Sequence, residues 1–213
     1  MRDFPDDEVI TAVGASSGLR GFPFDESLYL KPRFAPFFDG LAQYVQLSEA
    51  IVIPPNVDFY IEVKMSGLSN NSYQSIFSGP TIDNFYRTLP GGEGIQSYAG
   101  SYAITWSTSN FDASKTQTYA LRRVNNVLSI VIDGESKSSR SNSTQQVVFD
   151  RLIRAWTTSS YSSGTIEHFK VSIGGTLTNL IEFNQKNQAV QVPSVGSISA
   201  MITNHTDAMW RNV

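Results

Sequence analysis

The stretch Phe59-Tyr60-Ile61-Glu62-Val63-Lys64-Met65 decides the fold class. Phe59, Ile61, Val63 and Met65 occupy alternate positions, with Tyr60, Glu62 and Lys64 between them. Successive side chains of a strand point to opposite faces, so this spacing predicts a strand with one face on a core and the other toward water. Tyr102, Ile104 and Trp106 repeat the pattern. Residues 118–124 and 127–132 read as two strands joined by Asn125-Asn126. Asparagine tolerates positive φ, so that pair predicts a tight two-residue hairpin. Asp133-Gly134 closes the second strand as a turn. Further out, residues 44–47, 51–53, 73–77, 147–149, 152–156 and 166–173 read as strands, and no segment sustains a helical period. Many short strands separated by turns rich in Ser, Asn and Gly predict an all-β fold, an antiparallel sandwich of two sheets.

Composition agrees with this reading and excludes several functions. The 213 residues include 28 Ser and 15 Thr but only 16% charged residues, which suits strands with hydroxyl-bearing outer faces better than long charged helices. A chain of this length makes one domain with a sizeable core. The net charge is −3, so there is no basic footprint for nucleic acid. The absence of cysteine removes thiolate zinc sites, disulfides and a thiol nucleophile, and 2 His leave little room for a histidine metal centre. The opening MRDFPDDEVI lacks the apolar stretch of a signal peptide, and no apolar run is long enough for a membrane-spanning helix.

Three regions are expected. Residues 1–36 combine Gly14, Gly18, Gly21, Pro23, Pro32 and Pro36 with Phe22, Phe24, Leu28, Tyr29, Leu30 and Phe34. That mixture predicts an irregular N-terminal arm that needs a surface to lie on. Residues 37–183 form the sandwich. Residues 184–213 form a C-terminal tail in which Trp210 must dock, because a large ring is costly to leave exposed. Loops are expected at 79–100, 107–115, 135–145 and 157–164, where binding usually resides.

The order of motifs resembles a laminin G-like domain of the concanavalin A-like lectin/glucanase jelly rolls. The resemblance runs through Phe38-Asp39-Gly40, Tyr44-Val45-Gln46-Leu47, 51–53 and 58–63, then Ser75-Ile76-Phe77-Ser78. It continues through Tyr119-Ala120-Leu121-Arg122-Arg123, 128–134 and Gly164-Thr165-Ile166-Glu167-His168-Phe169-Lys170-Val171. The tryptophan usual at the start of the family's long hairpin is absent; Thr118 or Tyr119 stands near its place. Phe183-Asn184, Val195-Gly196, Ile202-Thr203-Asn204 and Trp210 are also similar to the tails of such domains in tailed-phage virion proteins. The resemblance implies a two-sheet jelly roll. It also implies a role as a non-catalytic virion structural protein (capsid decoration, tail or fibre), with a cell-surface glycan as a further partner; the irregular yet apolar termini add the expectation that arm and tail dock on neighbouring subunits or on copies of the chain itself.

Two other readings stay open: a stand-alone carbohydrate-binding lectin, and a polysaccharide-cleaving enzyme. Glycoside hydrolysis needs two carboxylates facing one cleft. Here Glu62 is alone within its strand, while Asp133 and Glu135 straddle Gly134 at a turn, so these read as solvated or turn carboxylates. His168 and His205 read as strand and turn histidines, and no Gly-x-Ser-x-Gly elbow is present. Gly91-Gly92-Glu93-Gly94 lacks the Lys and helix of a phosphate loop. Laminin G-like domains often hold Ca²⁺ at one rim through Asp, Asn and loop carbonyls, which makes Asp83, Asn84, Asn110 and Asp112 the candidate ligands. Sugar recognition uses an exposed ring with amide and hydroxyl groups nearby. Tyr86, Tyr98 and Tyr161, with Asn110, are the candidates for it, while Trp106 and Trp156 are expected in the core.

Overall fold

A computed structural model describes residues 33–157 and 160–213. The expected arm lies outside these residues except for its last four, which lead into the first strand.

Sixteen strands form two eight-stranded antiparallel sheets. In chain order they are β1 Phe34–Asp39, β2 Tyr44–Ile53, β3 Phe59–Ser66, β4 Gln74–Ser78, β5 Asn84–Thr88, β6 Gly94–Ala99, β7 Tyr102–Ser107 and β8 Gln117–Val124. They continue as β9 Val127–Ile132, β10 Glu135–Arg140, β11 Val147–Leu152, β12 Ser163–Ile173, β13 Thr176–Glu182, β14 Val190–Gln191, β15 Ala200–Thr203 and β16 Trp210–Asn212. The first sheet runs β10-β9-β8-β3-β12-β1-β16, with β13 also paired to β12. The second runs β14-β15-β2-β11-β4-β5-β6-β7. This is the expected jelly-roll sandwich.

The alternating stretch behaves as its pattern demands. Phe59, Ile61, Val63 and Met65 are buried, and Tyr60, Glu62 and Lys64 line the outer face of the first sheet. Across the interior they meet Val45, Leu47, Phe77, Tyr86, Ile95 and Phe149 of the second sheet in one continuous core. Asn125 and Asn126 adopt φ 50° and 61°, the left-handed pair of a tight hairpin between β8 and β9.

Where the expected loops differ, the cause is burial on both faces or on neither. The expected loop at 79–100 contains β5 and β6. Phe85 and Tyr86 are adjacent and both buried, so period two is hidden by a strand covered on both sides. β10 lies in the expected loop 135–145; it is largely exposed and serine-rich, and its register against β9 shifts between Ser136 and Ser138. The strand expected over 152–156 stops at Leu152. Ile153 takes φ 53°, an outlier for a β-branched residue, and turns the chain out of the sheet.

The expected tail is woven into the sandwich. β15 pairs with β2, β16 pairs with β1, and Leu180 bridges Val195. Trp210 is 7% exposed and donates from Nε1 to His205 Nε2 at 3.1 Å. Its docking partner is thus the chain's own core. The edge strand β7 is covered by β10. Arg140 donates to the Ala103 carbonyl at 2.6 Å and Ser138 to the Thr105 carbonyl at 3.0 Å, while Tyr102 donates to the Ser141 carbonyl. Such cover blunts an edge that would otherwise template pairing with another chain.

Candidate functional site

The candidate side chains are placed by β4 and the residue before it, by strand alternation on β5 and by the turn at Ile153. On β5 the outer positions fall to Phe85 and Arg87, while Tyr86 points inward. Phe85 pairs with Tyr98 on β6, and their rings lie 4.7 Å apart. The segment after Ile153 then folds over this outer face, held by the Ile153 amide on the Ile76 carbonyl at 3.0 Å and the Ser162 amide on the Ile153 carbonyl at 2.9 Å. Ser75 and Ser78 both donate to the Arg154 carbonyl, at 3.1 and 2.6 Å. These bonds carry Trp156 onto Phe85, with ring centroids 4.9 Å apart. Sparsely populated backbone geometry such as that of Ile153 tends to cluster at binding sites.

The result is a cleft of about 150 Å³ lined by Tyr73, Ser75, Arg87, Trp156, Ser160 and Ser162, among others. The Arg87 guanidinium lies 4.2 Å from the Tyr73 ring centroid, 4.7 Å from Phe85 and 5.7 Å from Trp156. All three fall within cation–π reach. Its Nε and Nη2 donate to Gln96 Oε1 at 3.1 and 2.6 Å. Burial depresses its pKa, opposed by the nearby Tyr73 and Tyr98, and a guanidinium remains charged regardless. Tyr73 is 54% exposed, so a flat ring faces solvent at the rim. No carboxylate lines the cleft among the described residues.

The sequence candidates divide on this geometry. Tyr98 lies on the same face, its ring tilted against Phe85. Tyr161 lies between the cleft residues Ser160 and Ser162, 6.1 Å from the Tyr44 ring, and Arg154 stands 4.5 Å from Tyr44 and 5.6 Å from Tyr161. Tyr86, expected to be exposed, is fully buried and stacked on Phe77 at 4.9 Å, because Phe85 and Arg87 claim the outward positions of β5. Asn110 is exposed in the loop after β7, next to Phe111, whose amide bonds the Gly92 carbonyl. Trp106 and Trp156, expected in the core, are half-buried. Trp106 packs edge-on against Phe111 at 5.3 Å, whereas Trp156 roofs the cleft.

The expected metal ligands do not converge. Asp83 precedes the end of β5 that pairs through Ala99 to Tyr102; Asp112 follows the opposite end, where β6 and β7 pair as Ile95 with Trp106. Asp83 accepts from Ser101 Oγ at 2.5 Å. Asn84 is buried, with its Oδ1 accepting from the amides of Gly100 at 2.9 Å and Val148 at 3.2 Å, so it serves the backbone. Asp112 accepts from Ser114 Oγ at 2.6 Å and Asn70 Nδ2 at 3.3 Å, hydrogen bonds that hold its carboxyl below the usual range. Among the described residues no group of three or more His, Asp or Glu is placed to hold a metal ion.

The outer face of the first sheet carries a separate ionic network. Glu62 accepts from Tyr60 Oη at 2.6 Å and lies 2.8 Å from His168 Nε2. Lys64 and Arg33 reach Glu167 at 2.8 and 3.3 Å. The bonds from His168 and Tyr60 lower the pKa of Glu62 against the opposing effect of burial, and Tyr60 is pushed up by burial and by Glu62. A carboxyl held ionised is poorly suited to donate a proton to a leaving group.

Sequence reasoning missed Arg87 and Tyr73 as site residues. Arg87 stands in Phe85-Tyr86-Arg87, inside a segment read as loop; the aromatic doublet beside an arginine was the available signal.

No family profile matches the sequence, and no curated protein matches it. Solved structures share the fold. A candidate carbohydrate-binding protein from Bacteroides ovatus superposes with a TM-score of 0.64 at 14% identity, over 86% of this chain and 61% of that one. This chain therefore spans less than two thirds of that protein. A SAP-like pentraxin from Limulus polyphemus aligns at 10% identity with a TM-score of 0.47, over 66% of this chain and 75% of that one. Mouse laminin α1 domains LG4-5 align at 16% identity with a TM-score of 0.46, over 79% of this chain and 48% of that one. The class defined is a fold, an antiparallel two-sheet jelly-roll sandwich.

Proposed function

We propose that this chain is a non-catalytic carbohydrate-binding module whose saccharide lies on the outer face of the second sheet, in the cleft between Tyr73 and Trp156. The observation that carries the reading is that cleft: half-exposed rings beside a charged donor and a row of serine hydroxyls. Rings cover the apolar face of a pyranose while the hydroxyls and guanidinium take its oxygens. The Bacteroides ovatus structure, described as carbohydrate-binding and similar in fold, supports the same reading. The absence of carboxylates from the cleft lining, among the described residues, favours binding over glycoside cleavage.

The setting we propose is display on a bacteriophage virion, supported by the similarity of Phe183-Asn184, Val195-Gly196 and Trp210 to virion-protein tails. Residues 184–213 pack on their own sandwich, so any contact they make with neighbouring subunits uses their exposed side chains, such as Val192 and Met201.

Binding on a glycan array, followed by titration calorimetry of the best ligand, tests the site. Trp156→Ala is expected to weaken binding by about tenfold, since a ring contact contributes about 0.5–1.5 kcal/mol beyond the area it buries and ~1.4 kcal/mol is a factor of ten. Its thermal midpoint should stay close to that of the parent. Unchanged affinity in a folded Trp156→Ala variant would remove the cleft from the account.

A further inference from the structure

Arg87 is an arginine without an acid. Among the described residues it forms no ion pair, and its side-chain hydrogen bonds go to a single neutral acceptor, Gln96 Oε1. Those bonds use Nε and Nη2, the side edge of the guanidinium. The end edge, formed by Nη1 and the second Nη2 hydrogen, keeps parallel donors spaced for two oxygens. The guanidinium carbon lies 4.2 Å from the Tyr73 ring centroid and 4.7 Å from that of Phe85, contacts that with the Gln96 bonds restrict where the group can move. The rest of the cleft is hydroxyl-bearing or apolar, with Ser75, Ser160 and Ser162 among its lining. A buried or half-buried cation held rigidly with spare donors, and with no carboxylate beside it, has an unmet electrostatic demand.

We infer that the cleft selects an acidic saccharide, with the carboxylate of a uronic or sialic acid unit seated on the end edge of Arg87 and the sugar ring against Trp156 or Tyr73. This inference rests on the carbohydrate-binding reading above and sharpens it. A neutral sugar would leave the donors with water or weak hydroxyl partners. A planar carboxylate would engage two of them together, and a charge-assisted pair of that kind is about twice as strong as a neutral one. A tetrahedral sulfate ester can also present two oxygens to the fork, so a sulfated glycan is the competing anion that the test must separate from the carboxylate.

The test uses the full chain and titrates it by calorimetry with oligogalacturonate, its methyl ester, a sialylated trisaccharide, and dextran sulfate. The expected result is binding to a carboxylated sugar, about tenfold or more weaker for the methyl ester, and falling as salt is raised. Arg87→Lys, which keeps the charge but loses the planar fork, should lose most of the selectivity between acid and ester. Arg87→Met, which keeps an aliphatic stem between the rings, should abolish it while thermal unfolding still reports a folded protein. Equal binding of acid and ester, or preference for a neutral glycan on the array, would overturn the acidic assignment and leave the carbohydrate reading standing. Binding to dextran sulfate alone would overturn the carboxylate fit. Absence of binding to any saccharide would remove both.

Discussion

Glu62 shows how far a single residue's surroundings can be turned into a measurement. Its carboxylate accepts from Tyr60 and lies 2.8 Å from His168, contacts that favour the charged form. Its folded-state pKa therefore lies below the ordinary value of 4.5. A group depressed on folding contributes stability above its unfolded pKa, and that contribution is lost as pH falls through the folded value. The thermal midpoint of the parent should accordingly fall more steeply than that of Glu62→Gln between about pH 5 and pH 3, with the curves converging at the acid end. Parallel curves over that window would show that the network contributes nothing. Glu62 was legible in the sequence as a lone strand carboxylate, but its partners were not, because His168 joins it only through the register of β3 with β12. Arg123 is a second case. In the sequence it is half of an isolated Arg pair; in the fold it is fully buried, donating to the carbonyls of Pro54, Val57 and Gln145 at 2.6 to 2.8 Å. No local pattern announces three carbonyls brought together from distant loops.

At the scale of elements, legibility follows exposure. β3, β8 and β9 were readable because one face is wet or the hairpin carries its turn residues. β5 was not, because the loop after Ile153 covers its outer face and erases the alternation. The proposed site thus lies where sequence patterning is weakest, because the loop that forms the cleft is the one that covers β5. Glycine positions mark the close approaches that hold this part of the sheet. Gly94 starts β6 at φ 114°, and a Cβ there would run into the Trp106 carbonyl oxygen of β7. That conformation is open to few residues besides glycine. Gly94→Ala should destabilise the fold by about 2–4 kcal/mol, combining backbone strain with overpacking, and denaturant titration reads it directly. A loss below about 0.5 kcal/mol would mean that β6 and β7 separate freely at that end.

At the scale of the whole molecule, the two outer faces of the sandwich differ in where rings and cations are brought together. The first sheet presents paired ions: Glu62 with His168, and Lys64 and Arg33 with Glu167. The second carries one ion pair, Arg151 with Asp150 on β11, and apart from it a cluster of rings around Arg87, an arginine not matched by acid. Charges that already have partners gain little from a ligand, whereas an unpaired cation among rings gains much. The fold class was legible from strand count and alternation, but the choice of face was not, since it depends on where the loop after β11 lands. The central claim is that saccharide binds the second sheet and not the first. The most direct measurement is amide and indole chemical-shift mapping of the isotope-labelled chain as a saccharide that binds is added. The account predicts that shifts concentrate at Ser75, Arg87, Gln96, Ser162 and the Trp156 indole. Shifts concentrated at Glu62, Glu167 and His168, with Trp156 unmoved, would contradict it.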